Sequence, residues 1–220
     1  MPTAVIDNIE IRQGGRDGSP PPPPEGGDSD GSSGPGGDAL AVSRRAYFTG
    51  LTLALGGILM FFMALTSAYI VRKGLGENWQ AIALPRLLWL NTVVLLASSA
   101  TIEIARRKLA RAATGAFRSW WWVTTALGVA FLAGQLVAWR QMVESGIYLA
   151  GSPASSFFYV LTASHGVHLV GGIVFLFYVA FRAWSRSSIS QGTAAELAAV
   201  YWHFMDGLWV FLLLLVSLGQ

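Results

Sequence analysis

The sequence predicts an all-α fold: a polytopic membrane bundle of five transmembrane helices that follows a disordered N-terminal tail. Three observations carry that prediction. Of 220 residues, 53% are hydrophobic and only 12% charged, whereas an average soluble domain is about 25% charged. The apolar residues collect in five stretches, each close to the roughly 20 residues that a helix needs to cross a hydrocarbon core of about 30 Å. Those stretches also lack the period-two alternation of barrel strands, which need only about 10 residues.

The tail comes first. Residues 1–42 include GGRDGSPPPPPEGGDSDGSSGPGGD and hold seven acidic residues against two basic ones, a net charge of −5. Gly, Pro, Ser and Asp leave almost nothing apolar to bury, so this stretch is expected to stay disordered, with a short polyproline II rod expected at Pro20–Pro24. Its start lacks the basic n-region and apolar h-region of a secretory signal. A proline run docks in aromatic grooves of some partners, but a solvated tail accounts for it and it is assigned no chemistry.

Residues 43–220 form one membrane domain with 13 basic and five acidic residues, a net charge of +8. Its spans are expected at about 46–71, 87–105, 119–139, 156–181 and 197–219. The second is the shortest and carries Glu103 near its end. No repeat of 20 to 50 residues suggests duplicated transporter halves. Lys and Arg set the direction. Arg44, Arg45, Arg106, Arg107, Lys108, Arg111, Arg118, Arg182 and Arg186 flank one side, against Arg72, Lys73, Arg86 and Arg140 on the other. The N-terminus is therefore expected in the cytoplasm and the C-terminus outside, as an odd number of spans requires. Trp79, Trp120, Trp121, Trp122, Trp139 and Trp184 fall near span ends and read as an aromatic belt. Gly56–Gly57 and Gly171–Gly172 read as helix-contact positions, since no strand precedes either to make a phosphate loop.

Composition and motifs exclude several functions. There is no Cys, which removes disulfides, thiolate metal sites and thiol nucleophiles together. The pI near 9.5 does not indicate a nucleic-acid binder, because the basic residues form no dense patch on a polar surface. Walker, GxSxG, HExxH and CxxC signatures are all missing.

What remains is polar chemistry inside the spans, where ionisable groups are costly and face protein or a water cavity. The fourth span carries His165 and His168 in ASHGVHLVGG, three residues apart and so on one face. The fifth carries Glu196, His203 and Asp206 in ELAAVYWHFMDGLW, two turns and then nearly one more turn apart, again on one face. The third adds Gln135, and the second adds Asn91, Ser98, Ser99 and Thr101. Three readings of these groups compete. Two histidines from different helices ligate a haem iron, as in a membrane cytochrome b; or the histidines and carboxylates form a metal or di-metal site; or they are a hydrogen-bond network that fixes helix packing. Two details favour the network. Asp206 lies one turn from His203, so the pair can satisfy itself without metal, and Gly166, Gly171 and Gly172 flatten the fourth helix for close contact rather than leaving room for a porphyrin.

The closing string YWHFMDGLWVFLLLL, with Glu196 seven residues before His203, resembles the last helix of haem-copper oxidase (cytochrome c oxidase) subunit III. FFYVLTASHGVHLVGG resembles that family's HG-x-H helix, and GVAFLAGQLVAW, LWLNTVVLLASSAT and MFFMALTSAYI extend the likeness in order over all five spans, roughly residues 45–220. The chain is similar to a short, five-helix form that corresponds to the last five helices of longer members.

That resemblance implies a non-catalytic integral subunit of a terminal oxidase in aerobic respiratory electron transport, without haem or copper of its own. Those cofactors would sit on partner subunits, with oxidase subunit I as the main contact and subunit II as the second. The subunit would stabilise the catalytic subunit, support proton uptake in a proton-translocating complex and retain phospholipid in a cleft. It would act in a bacterial inner membrane, with the C-terminus periplasmic or external and with no nucleic-acid partner. His165, His168, Glu196, His203 and Asp206 would then be a structural polar network or lipid cleft, not catalytic or metal residues. One departure is visible: many members carry a glutamate just before a V-M-F-F run, and Ile58 stands there in this chain. A subunit III-like accessory protein of nitric oxide reductase is an alternative, distinguished by the absence of a copper-bearing subunit II encoded nearby. A free-standing membrane cytochrome b is another, and a Soret band on the isolated chain would reveal it.

Overall fold

The computed structural model describes residues 35–76, 79, 85–185 and 188–219, with side chains described at 44–76, 79, 85–181 and 192–219. The proline run and most of the acidic stretch read as a tail lie outside the described residues. Among the described residues five α-helices follow in chain order: α1 (Pro35–Gly74), α2 (Leu87–Ala110), α3 (Thr114–Glu144), α4 (Pro153–Ser185) and α5 (Ser188–Leu218). Each contains a segment long and apolar enough to cross a membrane. The protein is thus a multi-pass membrane protein. Each helix runs past its expected apolar stretch at one end or both, taking in flanking polar and basic residues. α1 begins at Pro35, inside the segment expected as tail.

The helix ends show why the turns fall where they do. α3 closes with a Schellman motif, in which Ile147 N–H bonds to Met142 O at 2.9 Å and Gly146 N–H to Val143 O at 3.0 Å. Gly146 supplies the left-handed conformation the motif needs, at φ 78°, without a Cβ penalty. The end of α2 has the same pair of bonds, Ala113 N–H to Lys108 O at 3.0 Å and Ala112 N–H to Leu109 O at 2.9 Å. There the left-handed position, φ 55°, is Ala112. α4 opens on a capping box built from serines: Ser152 Oγ accepts from Ser155 N–H at 3.2 Å, Ser155 Oγ accepts from Ser152 N–H at 3.0 Å, and Pro153 occupies the first helical position.

α2, α3, α4 and α5 close into a ring in which each helix packs on two neighbours, α2 on α3, α3 on α4, α4 on α5 and α5 on α2. α1 lies outside that ring and packs only on α4 and α5. Among its described side chains only Phe62, Thr66 and Tyr69 are buried, an i, i+4, i+7 stripe on one face. Large apolar side chains elsewhere, such as Met60, Val93, Val167 and Phe181, are exposed, as a hydrocarbon solvent permits.

Small residues set how closely the ring closes. A Cβ at Gly128 would come within 2.6 Å of the Trp202 ring, and one at Gly172 within 2.8 Å of the Tyr201 ring. Gly172 is therefore a contact position, as expected. Gly56 and Gly57 are not, since nothing lies within 4 Å of a Cβ at either; they sit on the outward side of α1. Trp121 also departs from the expected belt. It is buried in the core and donates its indole N–H to Leu176 O at 2.9 Å, joining α3 to α4.

Replacing Ala112 by Gly removes the cost of a left-handed non-glycine residue, about 1–2 kcal/mol, and loses part of that to the flexibility of the unfolded glycine. Ala112→Gly is expected to stabilise the chain by up to about 1 kcal/mol, read as a higher thermal unfolding midpoint in detergent; Gly56→Ala, at a helical position with nothing within 4 Å of an added Cβ, is expected to raise the midpoint as well, by about 0.4–1 kcal/mol.

Candidate functional site

The interior of the ring is apolar except where helix carries polar atoms toward helix. The largest run of such contacts is the seam between α2 and α5. Trp202 and Trp209 stand two turns apart on α5, so both face α2. Trp202 Nε1–H donates to Ser98 Oγ at 2.8 Å, and Trp209 Nε1–H donates to Thr92 Oγ1 at 3.0 Å. Each accepting hydroxyl passes its own proton back along α2, Ser98 to Leu95 O at 2.6 Å and Thr92 to Leu88 O at 2.8 Å. A third copy joins α3 to α4, where Trp139 Nε1–H meets Thr162 Oγ1 at 3.2 Å and Thr162 donates to Phe158 O at 2.8 Å. Every indole and hydroxyl in the three pairs has a partner, which a low-dielectric interior demands.

Ser99 sits beside this run and holds the ionisable pair of α5. Its Oγ donates to Asp206 Oδ2 and lies 2.9 Å from His203 Nδ1. With the single hydroxyl proton given to the carboxylate, Ser99 accepts from His203, and the imidazole hydrogen then belongs on Nδ1. His203 and Asp206 are thus linked through a serine of another helix, rather than satisfying each other within α5.

The remaining expected residues lie elsewhere. His165 is 0% exposed, inside the ring. Its imidazole packs on Phe131 and Trp209, with ring centroids 6.2 and 5.2 Å away. His168 points to α1 instead: Nδ1 lies 2.8 Å from Ser164 O, and the ring meets Phe62 at 5.6 Å and Phe61 at 6.2 Å. Three residues turn a helix by about 60° less than a full circle, enough to send the two histidines to different neighbours. Glu196 is further off. It accepts from Arg44 Nη2 of α1 at 2.7 Å, at the exposed end of the bundle. Among the described residues no group of three or more His, Asp or Glu side chains could hold a metal ion. His165 is buried inside the ring, His168 meets Phe61 and Phe62 of α1, and His203 opens to the bundle exterior. Ile58 packs, partly buried, against the core.

Ser98, Ser99 and Thr101 of α2 were candidates from the sequence and are partners here; Thr101 Oγ1 lies 2.8 Å from Thr124 Oγ1 of α3. Trp202, Trp209, Thr92 and Thr162 were not singled out. The signal for them was present, as two Trp seven residues apart on α5 opposite hydroxyls on α2, but it needs the antiparallel register between the helices to be read.

The described helices define a multi-pass membrane bundle whose buried polar groups tie helix to helix. Residues 36–218 match the family model described as cytochrome c oxidase subunit III. A probable cytochrome c oxidase subunit 3 of Nocardia farcinica is 32% identical over 170 residues, 73% of this chain and 82% of the relative. Cytochrome c oxidase subunit 3 of Synechocystis is 32% identical over 178 residues, 77% of this chain and 74% of that protein, and the one from Thermostichus vulcanus is 29% identical over 172, covering 76% and 84%. The chain belongs to the cytochrome c oxidase subunit III family, and so is a subunit III of a terminal oxidase.

Removing the Ser99 hydroxyl leaves Asp206 and His203 without their shared partner, and an unsatisfied buried polar group costs about 1–3 kcal/mol. Ser99→Ala is expected to lower the thermal midpoint by that free energy, whereas Ser217→Ala, whose hydroxyl only returns to its own helix at Leu214 O, changes it by a few tenths of a kcal/mol.

Proposed function

We propose that this subunit works by packing and positioning, with no bond-making residue of its own, against a catalytic partner that carries the haem and copper. The observation that supports this reading is the position of its ionisable side chains. His203 is exposed on the outside of the bundle, where α2 and α5 meet, although it lies within a membrane-spanning segment. An imidazole facing hydrocarbon is costly, so such a group belongs against protein or water. The edge formed by His203 and Ser99 is where the catalytic subunit I docks, with subunit II as the second neighbour in the complex.

Lipid retention has a matching feature. A groove of about 450 Å³ runs between α1 and α5, lined by Tyr69, Ile70, Lys73, Phe211, Leu214 and Leu215 among others. Its walls suit an acyl chain, and the Lys73 ammonium at its end suits a lipid phosphate. Support of proton uptake fits the other end, where Glu103 is held by Arg106 at 2.9 Å and Arg107 at 3.1 Å, four residues from Ser99. The nine-to-four distribution of Lys and Arg supports an orientation with that end in the cytoplasm and the C-terminus outside, in a bacterial inner membrane.

Purifying the tagged chain in mild detergent is expected to bring haem-copper subunits with it. In His203→Ala the haem content of the catalytic subunit stays unchanged, while the amount of this chain recovered with it falls several-fold. Stoichiometric haem on the isolated chain, lost in His203→Ala, would overturn the packing role.

A further inference from the structure

Inside the ring, three buried polar side chains on three helices carry polar atoms with no partner in the protein. Asn91 of α2, Gln135 of α3 and His165 of α4 are 4%, 3% and 0% exposed. Gln135 Oε1 and Nε2, His165 Nδ1 and Nε2, and Asn91 Nδ2 are all buried without a hydrogen-bond partner in the protein. The register places them at one level. Phe131 and Trp139 lie one turn to either side of Gln135 on α3, and they meet His165 and Thr162 of α4. Gln135 therefore faces the same turn of α4 that carries His165. Asn91 abuts Gly134, so closely that a Cβ there would collide with its carboxamide, which sets it beside Gln135. Trp209 of α5 closes the group from the fourth side, with its ring against both Phe131 and His165.

Buried polar atoms of this kind are satisfied in native proteins by each other, by ordered water or by an ion. The donor set decides among these. Two carboxamides and one imidazole supply no fixed negative charge, and no carboxylate joins them, so a metal cation has little to bind. They do supply a mixture of donors and acceptors: amide N–H groups, one ring N–H, a carboxamide oxygen and one bare ring nitrogen. A water molecule, with two donors and two acceptors, fits that mixture, and a buried water makes about three such bonds.

We propose that Asn91, Gln135 and His165 form a binding site for ordered water at the centre of the four-helix ring, joining α2, α3 and α4 where no direct side-chain bond does. Two such waters, one at each edge of the imidazole, give both His165 nitrogens a partner. The site is an internal one, separate from the His203 edge and from the α1–α5 groove, and it holds whether or not the chain is bound to a catalytic subunit.

Radiolytic labelling tests it, because hydroxyl radicals made from bound water oxidise the side chains beside it even where bulk solvent does not reach. The membrane-embedded complex is pulsed after equilibration in H2¹⁸O. Phe131 and Trp209 are expected to take up oxygen at least several-fold faster than Trp121 and Phe158, which are as deeply buried but lie away from the three polar groups. In Gln135→Leu the labelling of Phe131 falls to the level of those controls. Labelling of Phe131 and Trp209 no faster than the controls in the unaltered protein would overturn the proposal. A structure of the complex showing the Gln135 carboxamide bonded directly to His165, with no solvent density between them, would do the same. Neither result depends on whether Gln135→Leu assembles.

Discussion

The bundle depends on one constraint: inside a membrane, an indole N–H or a hydroxyl has no water to fall back on. Each of Trp139, Trp202 and Trp209 meets it in the same way, by donating across a helix interface to a Ser or Thr whose own proton returns to a backbone carbonyl. The aromatic ring supplies contact area and the N–H supplies direction, so one residue both fills the interface and fixes its register. Glycine completes the device. Gly128 leaves the room that the Trp202 ring occupies, and any larger residue would push the ring away from Ser98.

That constraint separates the ring from α1. The four helices of the ring are joined by hydrogen bonds between them, whereas α1 is tied by the Arg44–Glu196 ion pair at one end, and beyond its other end Trp79 N–H donates to Gly219 O at 3.3 Å. Between these it relies on Phe62, Thr66 and Tyr69. A surface ion pair such as Arg44–Glu196 contributes about 0–1 kcal/mol, so α1 is held less firmly than the rest. The groove it leaves against α5 follows from the same loose packing, and its walls are largely apolar.

Much of this was legible in the residues. Hydropathy alone located five spans, because nothing else accounts for stretches such as Leu208–Leu218, and the charge scarcity made the few ionisable residues conspicuous. The polar constellation was legible only in part. Spacing along a helix shows that His165 and His168 are neighbours, but not that the slight rotation between them sends one ring to Trp209 and the other to Phe62. Asp206 and His203 looked self-sufficient within α5, and they prove to share Ser99 of α2. Trp121 looked like an interfacial residue from its place near a span end, yet α3 extends beyond the apolar stretch and carries it into the core. In each case the missing information was the rotation of one helix against another, which depends on all the contacts of both.

The indole-to-hydroxyl bonds fix helix against helix, and a double-mutant cycle on Trp202 and Ser98 measures that force directly. With Trp202→Phe, Ser98→Ala and the double variant compared by thermal or denaturant unfolding in one detergent, the two changes are predicted to be non-additive, with a coupling free energy of about 0.5–1.5 kcal/mol. Strict additivity would mean that the bond contributes nothing beyond the packing of the ring, and would contradict the account.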